Sequence, residues 1–161
     1  ETMIESLPYL TENISIVFVG GLEKEIEEYL KMAQNIGVEK RCIFLKKQDF
    51  SKIPLYEQAM DVLVIPYPNH PHFREFGFPM KVYEYMASQR PIIYSDFELI
   101  KEVLGDCAYS FRPEDVRDLS QKILFVLNDS DKDFKVKRAY DKVKSCSWLH
   151  RAENIVIFLK N

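Results

Sequence analysis

Apolar residues along this chain fall into five short runs that are separated by longer amphipathic stretches. The runs are rich in β-branched or aromatic residues and do not alternate clearly between polar and apolar positions. Strands that are covered on both faces have this pattern. The sequence therefore predicts five buried strands, at residues 14–19, 42–45, 62–65, 92–94 and 108–111.

The stretches between these runs have the apolar spacing of helices. Leu22, Ile26, Leu30 and Ala33 share one helical face, and Gly37 supplies a stop after it. Alternating strands and helices predict an α/β fold, a Rossmann-like parallel sheet flanked by helices, in one domain over residues 1–161. Further helical stripes are predicted within residues 51–59, where Leu55, Tyr56 and Ala59 are the apolar positions, and within residues 79–88, 95–103, 116–126 and 148–159.

Two shorter patterns refine this prediction. Ser95 and Glu98 have the spacing of a capping box before an apolar run, so a helix is expected to start there. The charge-rich stretch 129–144 is interpreted as a solvated helix face, with a weak surface for anionic lipid as the alternative.

Composition narrows the possible functions. The 161 residues are 47% hydrophobic, enough for one core, and the net charge of −3 gives no case for nucleic acid as a partner. No apolar run approaches the roughly 20 residues of a transmembrane helix, and no signal-peptide pattern opens the chain. Cys42, Cys107 and Cys146 lie far apart, which predicts reduced thiols and a cytoplasmic location.

Four loops follow the first four predicted strands, where ligands of parallel α/β sheets bind. Gly20 and Gly21 follow the first strand and permit either a plain tight turn or a close approach of backbone to a ligand. They are not part of a dinucleotide-binding G-x-G-x-x-G motif. The four loops lie at residues 20–24, 46–51, 66–77 and 95–97.

Residues 77–96 contain the most informative pattern, a loop, a short helix and an apolar strand. Glu84 is an ionisable residue in an apolar stretch of this helix, and such a carboxylate needs a partner or a task. A helix start attracts anions, and Gly77 and Glu84, about two turns apart, are expected on one helix face. The pattern predicts a nucleotide site, the alternative being a Glu84 bonded to a neighbouring backbone group or lysine.

Several segments resemble one family. Val-Phe-Val-Gly-Gly at residues 17–21 and Pro-Met-Lys-Val-Tyr-Glu-Tyr-Met-Ala-Ser-Gln-Arg-Pro-Ile-Ile at 79–93 resemble the C-terminal, donor-binding lobe of GT-B glycosyltransferases of retaining family 4, the glycosyl transferases group 1. The resemblance covers nearly the whole chain, and its specific part is residues 79–91. It implies transfer of a hexose from a nucleotide-diphosphate sugar to a hydroxyl acceptor with retention, without a cofactor.

The resemblance also implies that the chain is incomplete. It begins at Glu1 without Met, and we expect the first strand of the lobe and an N-terminal acceptor lobe to precede it. Residues 1–161 alone are therefore expected to be inactive. The expected partners are the nucleotide-sugar donor and the N-terminal lobe, and peripheral membrane contact of the full-length enzyme is left open.

Residue roles follow from the same resemblance. Glu84 is expected to hold the ribose hydroxyls, and backbone amides at Phe78, Met80 and Lys81 are expected to meet the diphosphate, because Pro79 has no N–H group. The Lys81 ammonium would add positive charge there, unless it is simply solvated. The remaining implied donor-binding positions are Gly77, Gly20, Gly21, Lys46 and Lys47, the last two in the loop that borders the base.

The chain departs from the family in the loop before this helix. Many members carry a second glutamate eight residues before the first, where this chain has Phe76, with Glu75 one place away as a substitute for holding the sugar. Arg74 could reach a phosphate. His70 and His72 have no clear third ligand nearby, so no metal site is expected.

Two alternative functions remain open. A GT-B sugar-nucleotide epimerase or a phosphorylase would share the donor site but catalyse another reaction. A non-catalytic Rossmann-like binding module would share only the fold.

Overall fold

The computed structural model describes residues 1–76 and 80–160. Its strands are β1 (Ile16–Val19), β2 (Cys42–Leu45), β3 (Leu63–Ile65), β4 (Ile92–Ser95) and β5 (Tyr109–Phe111). Its helices are α1 (Thr2–Ser6), α2 (Glu23–Asn35), α3 (Ile53–Ala59), α4 (Lys81–Ala87), α5 (Glu98–Leu104), α6 (Val116–Asn128), α7 (Lys132–Val143) and α8 (Trp148–Lys160).

The five predicted strands are confirmed, with bounds that differ by at most two residues. The largest difference is at β1, which begins at Ile16 rather than at residue 14. Every described ladder is parallel, with Ile16 opposite Cys42, Leu63 opposite Ile92 and Ile93 opposite Tyr109. The predicted class, parallel β-structure flanked by helices, is confirmed.

The described strands form two sheets rather than one continuous sheet. One has the order β1-β2 and the other has the order β3-β4-β5. Residues of β1 and β3 line a common groove of about 720 Å³. Among the described residues, no ladder joins β1 to β3, so each of these strands has a ladder on one side only.

Helices cover both faces of the larger sheet. Ile93 packs in a cluster that includes Leu7 and Leu119, whereas its neighbour Ile92 packs in a second cluster with Met86 and other residues. Successive side chains of a strand point to opposite faces, so the two clusters lie on opposite sides of β4. This arrangement explains why the apolar runs of the sequence show no alternation.

Arg41 ties the segment before β1 to the segment before β2. Its guanidinium donates hydrogen bonds to the carbonyl oxygens of Ile14 and Leu7, both at 2.9 Å. The same group donates to Thr11 at 2.8 Å and to Leu10 at 3.3 Å. One half-buried side chain therefore satisfies four main-chain carbonyls of an irregular segment.

The predicted capping box at Ser95 is wrong. Helix α5 begins at Glu98, its N-cap is Phe97, and no side chain caps it. Ser95 is instead the last residue of β4, where it lies opposite Phe111 and its hydroxyl donates to the carbonyl of Tyr67 at 2.8 Å. Because β4 pairs with β5 as far as Ser95, this residue belongs to the strand and is not the N-cap of α5.

The charge-rich stretch forms α7, and its lysines contact other segments as well as solvent. Three of their ammonium groups donate to main-chain carbonyls outside the helix, which lie at Leu127, Asp106 and Val103. Lys137 and Lys144 both pair with Asp141, at 2.6 and 2.9 Å. These contacts indicate that α7 is anchored through its charges.

The apolar stripe predicted near the C-terminus lies on α8. All described residues of this helix are exposed, and Trp148 is 70% exposed. In the parts of the chain that the structure describes, no helix combines the length and the apolar character needed to cross a membrane.

Candidate functional site

The turn after β1 forms one side of the mouth of the groove. Gly20 and Gly21 have φ angles of 106° and 93°, a region that favours glycine because it has no Cβ. The N–H of Gly20 donates to the carbonyl of Leu45 at 2.9 Å, which continues the pairing of β1 with β2. A Cβ on Gly20 would meet nothing within 4 Å, so backbone conformation rather than crowding requires this glycine.

The start of α4 contributes to the same groove. Lys81 is exposed, Glu84 is half-buried, and both line it. Helix α4 begins at Lys81 with Met80 as its N-cap, so Glu84 lies in the first turn. The sequence had placed Glu84 about two turns after Gly77, in a helix with Pro79 in its first turn.

Three predicted site residues, Gly77, Phe78 and Pro79, lie outside the described residues. Their expected roles at the diphosphate therefore stay predictions.

The Glu84 carboxylate has no hydrogen-bond or ion-pair partner among the described residues. The alternative of a Glu84 bonded to a neighbouring backbone group or lysine thus finds no support there. Its charge contributes, after burial, to raising the pKa of Glu57 and Tyr67. A half-buried carboxylate without a partner is available to a ligand with hydrogen-bond donors.

Glu57 is a groove residue that the sequence did not reveal. It lies on α3, is only 8% exposed, and lines the groove together with Lys81 and Glu84. Burial raises the pKa of the Glu57 carboxyl, the negative charge of Glu84 raises it further, and Lys81 lowers it. The sequence gave no sign that Glu57 would be buried, because the apolar stripe predicted on this helix put Leu55 on the buried face. In the structure Leu55 is 66% exposed.

Five other predicted residues lie outside the groove lining. The ammonium of Lys46 lies 2.5 Å from Glu23, and this contact raises the pKa of Lys46 and lowers that of Glu23. Arg74 and Glu75 pair with each other at 3.0 Å. Lys47 and Met80 are exposed. The predicted roles of these residues at the donor stay predictions.

The loop with His70 and His72 is organised by local contacts. Nδ1 of His70 accepts a hydrogen bond from the N–H of His72 at 3.2 Å, and Tyr67 stacks on Phe73 with ring centroids 4.5 Å apart. Residues 1–76 and 80–160 contain no group of three or more His, Cys, Asp or Glu side chains placed to hold a metal ion.

Several solved structures share the fold of this chain. Sucrose-phosphate synthase from Thermosynechococcus elongatus superposes with a TM-score of 0.83 at 18% identity, over 99% of this chain and 41% of that protein. Anabaena HepE in complex with UDP and glucose gives 0.80 at 19% identity, over 99% of this chain and 44% of that protein.

The C-terminal domain of the glycosyl transferase group 1 family protein LpcC from Francisella tularensis gives a TM-score of 0.71 at 21% identity. The match covers 89% of this chain and 76% of that domain. At these identities the three structures show the fold, which is that of the C-terminal lobe of GT-B glycosyltransferases. This chain spans well under half of the first two proteins.

The sequence itself identifies the family. No curated protein matches the chain significantly. Residues 1–129, however, match the family described as Glycosyl transferases group 1, which covers most of the 161 residues. Together with the fold and the groove at the strand ends, this match shows that the chain belongs to the glycosyl transferases group 1 family.

Proposed function

We propose that this chain is the donor-binding part of a glycosyltransferase that moves a hexose from a nucleoside-diphosphate sugar to a hydroxyl acceptor with retention. The observation that carries the proposal is the Glu84 carboxylate, half-buried in the groove and without a partner among the described residues. An ionised carboxylate accepts two O–H hydrogen bonds from a vicinal diol, and such charge-assisted bonds are strong. The ribose of a nucleotide is such a diol.

The diphosphate is assigned to the positive side of the same groove. The Lys81 ammonium lines the groove near Glu84, and the glycine turn after β1 lets backbone approach a ligand closely. Helix α4 has only seven residues, so the charge of Lys81 rather than a helix dipole is expected to act on the phosphates. The amides of Phe78 and Met80 are proposed as further donors. Positive charge at this point stabilises a leaving diphosphate.

UDP is the first nucleotide to test. The Anabaena protein HepE, which shares the fold, has been crystallised with UDP, with UDP-glucose, and with UDP and glucose. Lys46 and Lys47 follow β2, and we propose that their backbone borders the nucleotide base. The Lys46 side chain is paired with Glu23, so the backbone rather than this side chain is expected to contact the base.

The acceptor is proposed to bind to a lobe outside residues 1–161. The groove between β1 and β3 supports this division, because the described ladders pair each of these strands on one side only and apolar residues line the space between them. A strand supplied by polypeptide outside these residues would satisfy both edges. Residues 1–161 alone would then bind nucleotide without transferring sugar, and hexose transfer by them alone would contradict this division.

Calorimetric titration of the protein with UDP, GDP, ADP and TDP tests the donor site. Replacing Glu84 with alanine should weaken binding of the preferred nucleotide at least about tenfold, because a charge-assisted hydrogen bond contributes about 1.5–3 kcal/mol. Glu27→Ala, at an exposed glutamate of α2, is the matched control and should bind like the parent. Equal affinity of Glu84→Ala and the parent would remove the ribose assignment.

A further inference from the structure

Glu57 is the most buried carboxyl residue that lines the groove. It is 8% exposed and lies on α3, and Lys81 and Glu84 of α4 line the same groove. A carboxyl group at such a depth costs free energy unless a partner compensates it. No hydrogen bond or ion pair to its carboxylate is found among the described residues.

The carboxylate oxygens of Glu57 must open to the groove. In the described part of the chain, no buried side-chain oxygen or nitrogen lacks a hydrogen-bond partner. Because Glu57 has no such partner there, its oxygens are not sealed in protein, and the groove that it lines is the space they can reach. A buried residue thus presents its polar end to the cavity.

The surroundings of Glu57 suit a polar ligand. Glu84 and Lys81 line the same groove and act on Glu57 through their charges. The Tyr85 side chain also lines the groove, where burial raises the pKa of its phenol and the negative charge of Glu57 raises it further. Two carboxyl groups, one ammonium and one phenol are thus among the polar groups that line this one groove.

We propose that Glu57 is a second ligand-binding carboxyl group of this groove, which hydrogen-bonds to an O–H or N–H group of the bound nucleoside next to the ribose hydroxyls held by Glu84. The inference rests on the proposed nucleotide site and adds a contact to it. It explains why an acidic residue occupies a buried position beside another acidic residue, since a ligand with hydrogen-bond donors compensates both.

The experiment measures UDP and 2′-deoxy-UDP binding to the parent protein and to Glu57→Gln, Glu57→Ala and Glu84→Ala. Gln58→Ala is the matched control, because Gln58 is the exposed neighbour of Glu57 on the same helix. Thermal unfolding without ligand is recorded for every variant. The two nucleotides differ only at the 2′ position, so they separate a contact to the 2′-hydroxyl from a contact to any other donor of the nucleoside.

We expect Glu57→Ala to weaken UDP binding about tenfold, the scale of one charge-assisted hydrogen bond. Glu57→Gln should weaken binding less while unfolding at the same or a higher temperature, and Gln58→Ala should bind like the parent. A smaller loss with 2′-deoxy-UDP than with UDP assigns the contact to the 2′-hydroxyl, and an equal loss assigns it to another donor of the nucleoside.

The possible failures are distinguishable. If Glu84→Ala weakens binding but both Glu57 variants bind like the parent, the inference on Glu57 is overturned and the nucleotide site stands. If Glu84→Ala also binds like the parent, the proposed function fails. Loss of the folded state in both Glu57 variants would overturn the inference too, because it would make Glu57 a structural residue.

Discussion

At the scale of single residues, two glutamates of the groove illustrate different routes from sequence to site. Glu84 was predicted from the sequence, because it is an ionisable residue in an apolar helix whose neighbours resemble a known family. Glu57 was not predicted from the sequence, because the apolar stripe on α3 predicted that a different face of this helix is buried. Leu55, assigned to the apolar stripe, is exposed while Glu57 is buried. Burial of a particular helix face is decided by what packs against it.

The stability of the protein should therefore depend on pH through Glu57. Burial and the charge of Glu84 raise the pKa of its carboxyl above the ordinary value of 4.5. The folded state thus holds this proton more tightly than the unfolded state, so the stabilising contribution is complete below pH 4.5 and is lost as pH rises through the folded-state pKa.

Glu57→Gln should remove this loss, because glutamine stays neutral. Chemical denaturation should show a gain of about 1 kcal/mol in the free energy of unfolding at pH 7, the low end of the cost of a poorly compensated buried polar group. The gain should shrink toward zero near pH 4, where the parent carboxyl is protonated as well. A variant that is less stable than the parent at pH 7 would contradict this account.

At the scale of elements, the sequence located strands and helices well but not the contacts that connect them. The strand bounds differ by two residues at most, because runs of buried residues are a local signal. The cap at Ser95 failed because pairing of β4 with β5 extends the strand. The sequence also gave no sign that three lysines of the solvent-facing helix α7 donate to carbonyls of segments that precede it.

Arg41 is the clearest of these connections, since its guanidinium binds four carbonyls between Leu7 and Ile14. Arg41→Ala should lower the free energy of unfolding by about 2–3 kcal/mol, because it leaves those half-buried acceptors without their charged donor. Arg41→Lys should restore only a minor part, because an ammonium lacks the planar fork of donors.

Denaturant titration measures both Arg41 variants. Lys40→Ala is the matched control, since Lys40 is the exposed basic neighbour in the sequence and should change stability by less than about 0.5 kcal/mol. A small effect of Arg41→Ala would show that water replaces the guanidinium at these carbonyls.

At the scale of the whole molecule, the two sheets and the groove between them are the main feature that the sequence did not predict. Five parallel strands suggested one sheet, but the described ladders stop at β1 and at β3. The carboxyl ends of both strands lead into the candidate site, through Gly20 after β1 and through Pro66 after β3. The groove therefore joins an unfilled part of the sheet to the proposed nucleotide site.

Hydrogen exchange tests the proposal that a further strand fills the part of the groove that lies between β1 and β3. In a longer polypeptide of this protein, the groove-facing amides of β1 and β3 should exchange as slowly as those of β4, which is paired on both sides. Residues 1–161 alone should lose that protection at β1 and β3 while β4 keeps it. Equal protection of β1 in both polypeptides would argue against a supplied strand.

The sequence by itself determined the strands, the helices, the parallel α/β class, the resemblance to glycosyl transferases group 1, and the choice of Glu84, Lys81 and the glycine pair. These features depend on local periodicity, on backbone conformations that favour glycine, and on short motifs, all of which are legible in neighbouring residues. Only the tertiary structure decided that the described strands form two sheets, that Arg41 binds distant carbonyls, and that Glu57 of α3 and Glu84 of α4 line one groove. These features depend on contacts between residues that are far apart in the chain. The local sequence does not specify which face of a helix or strand makes those contacts.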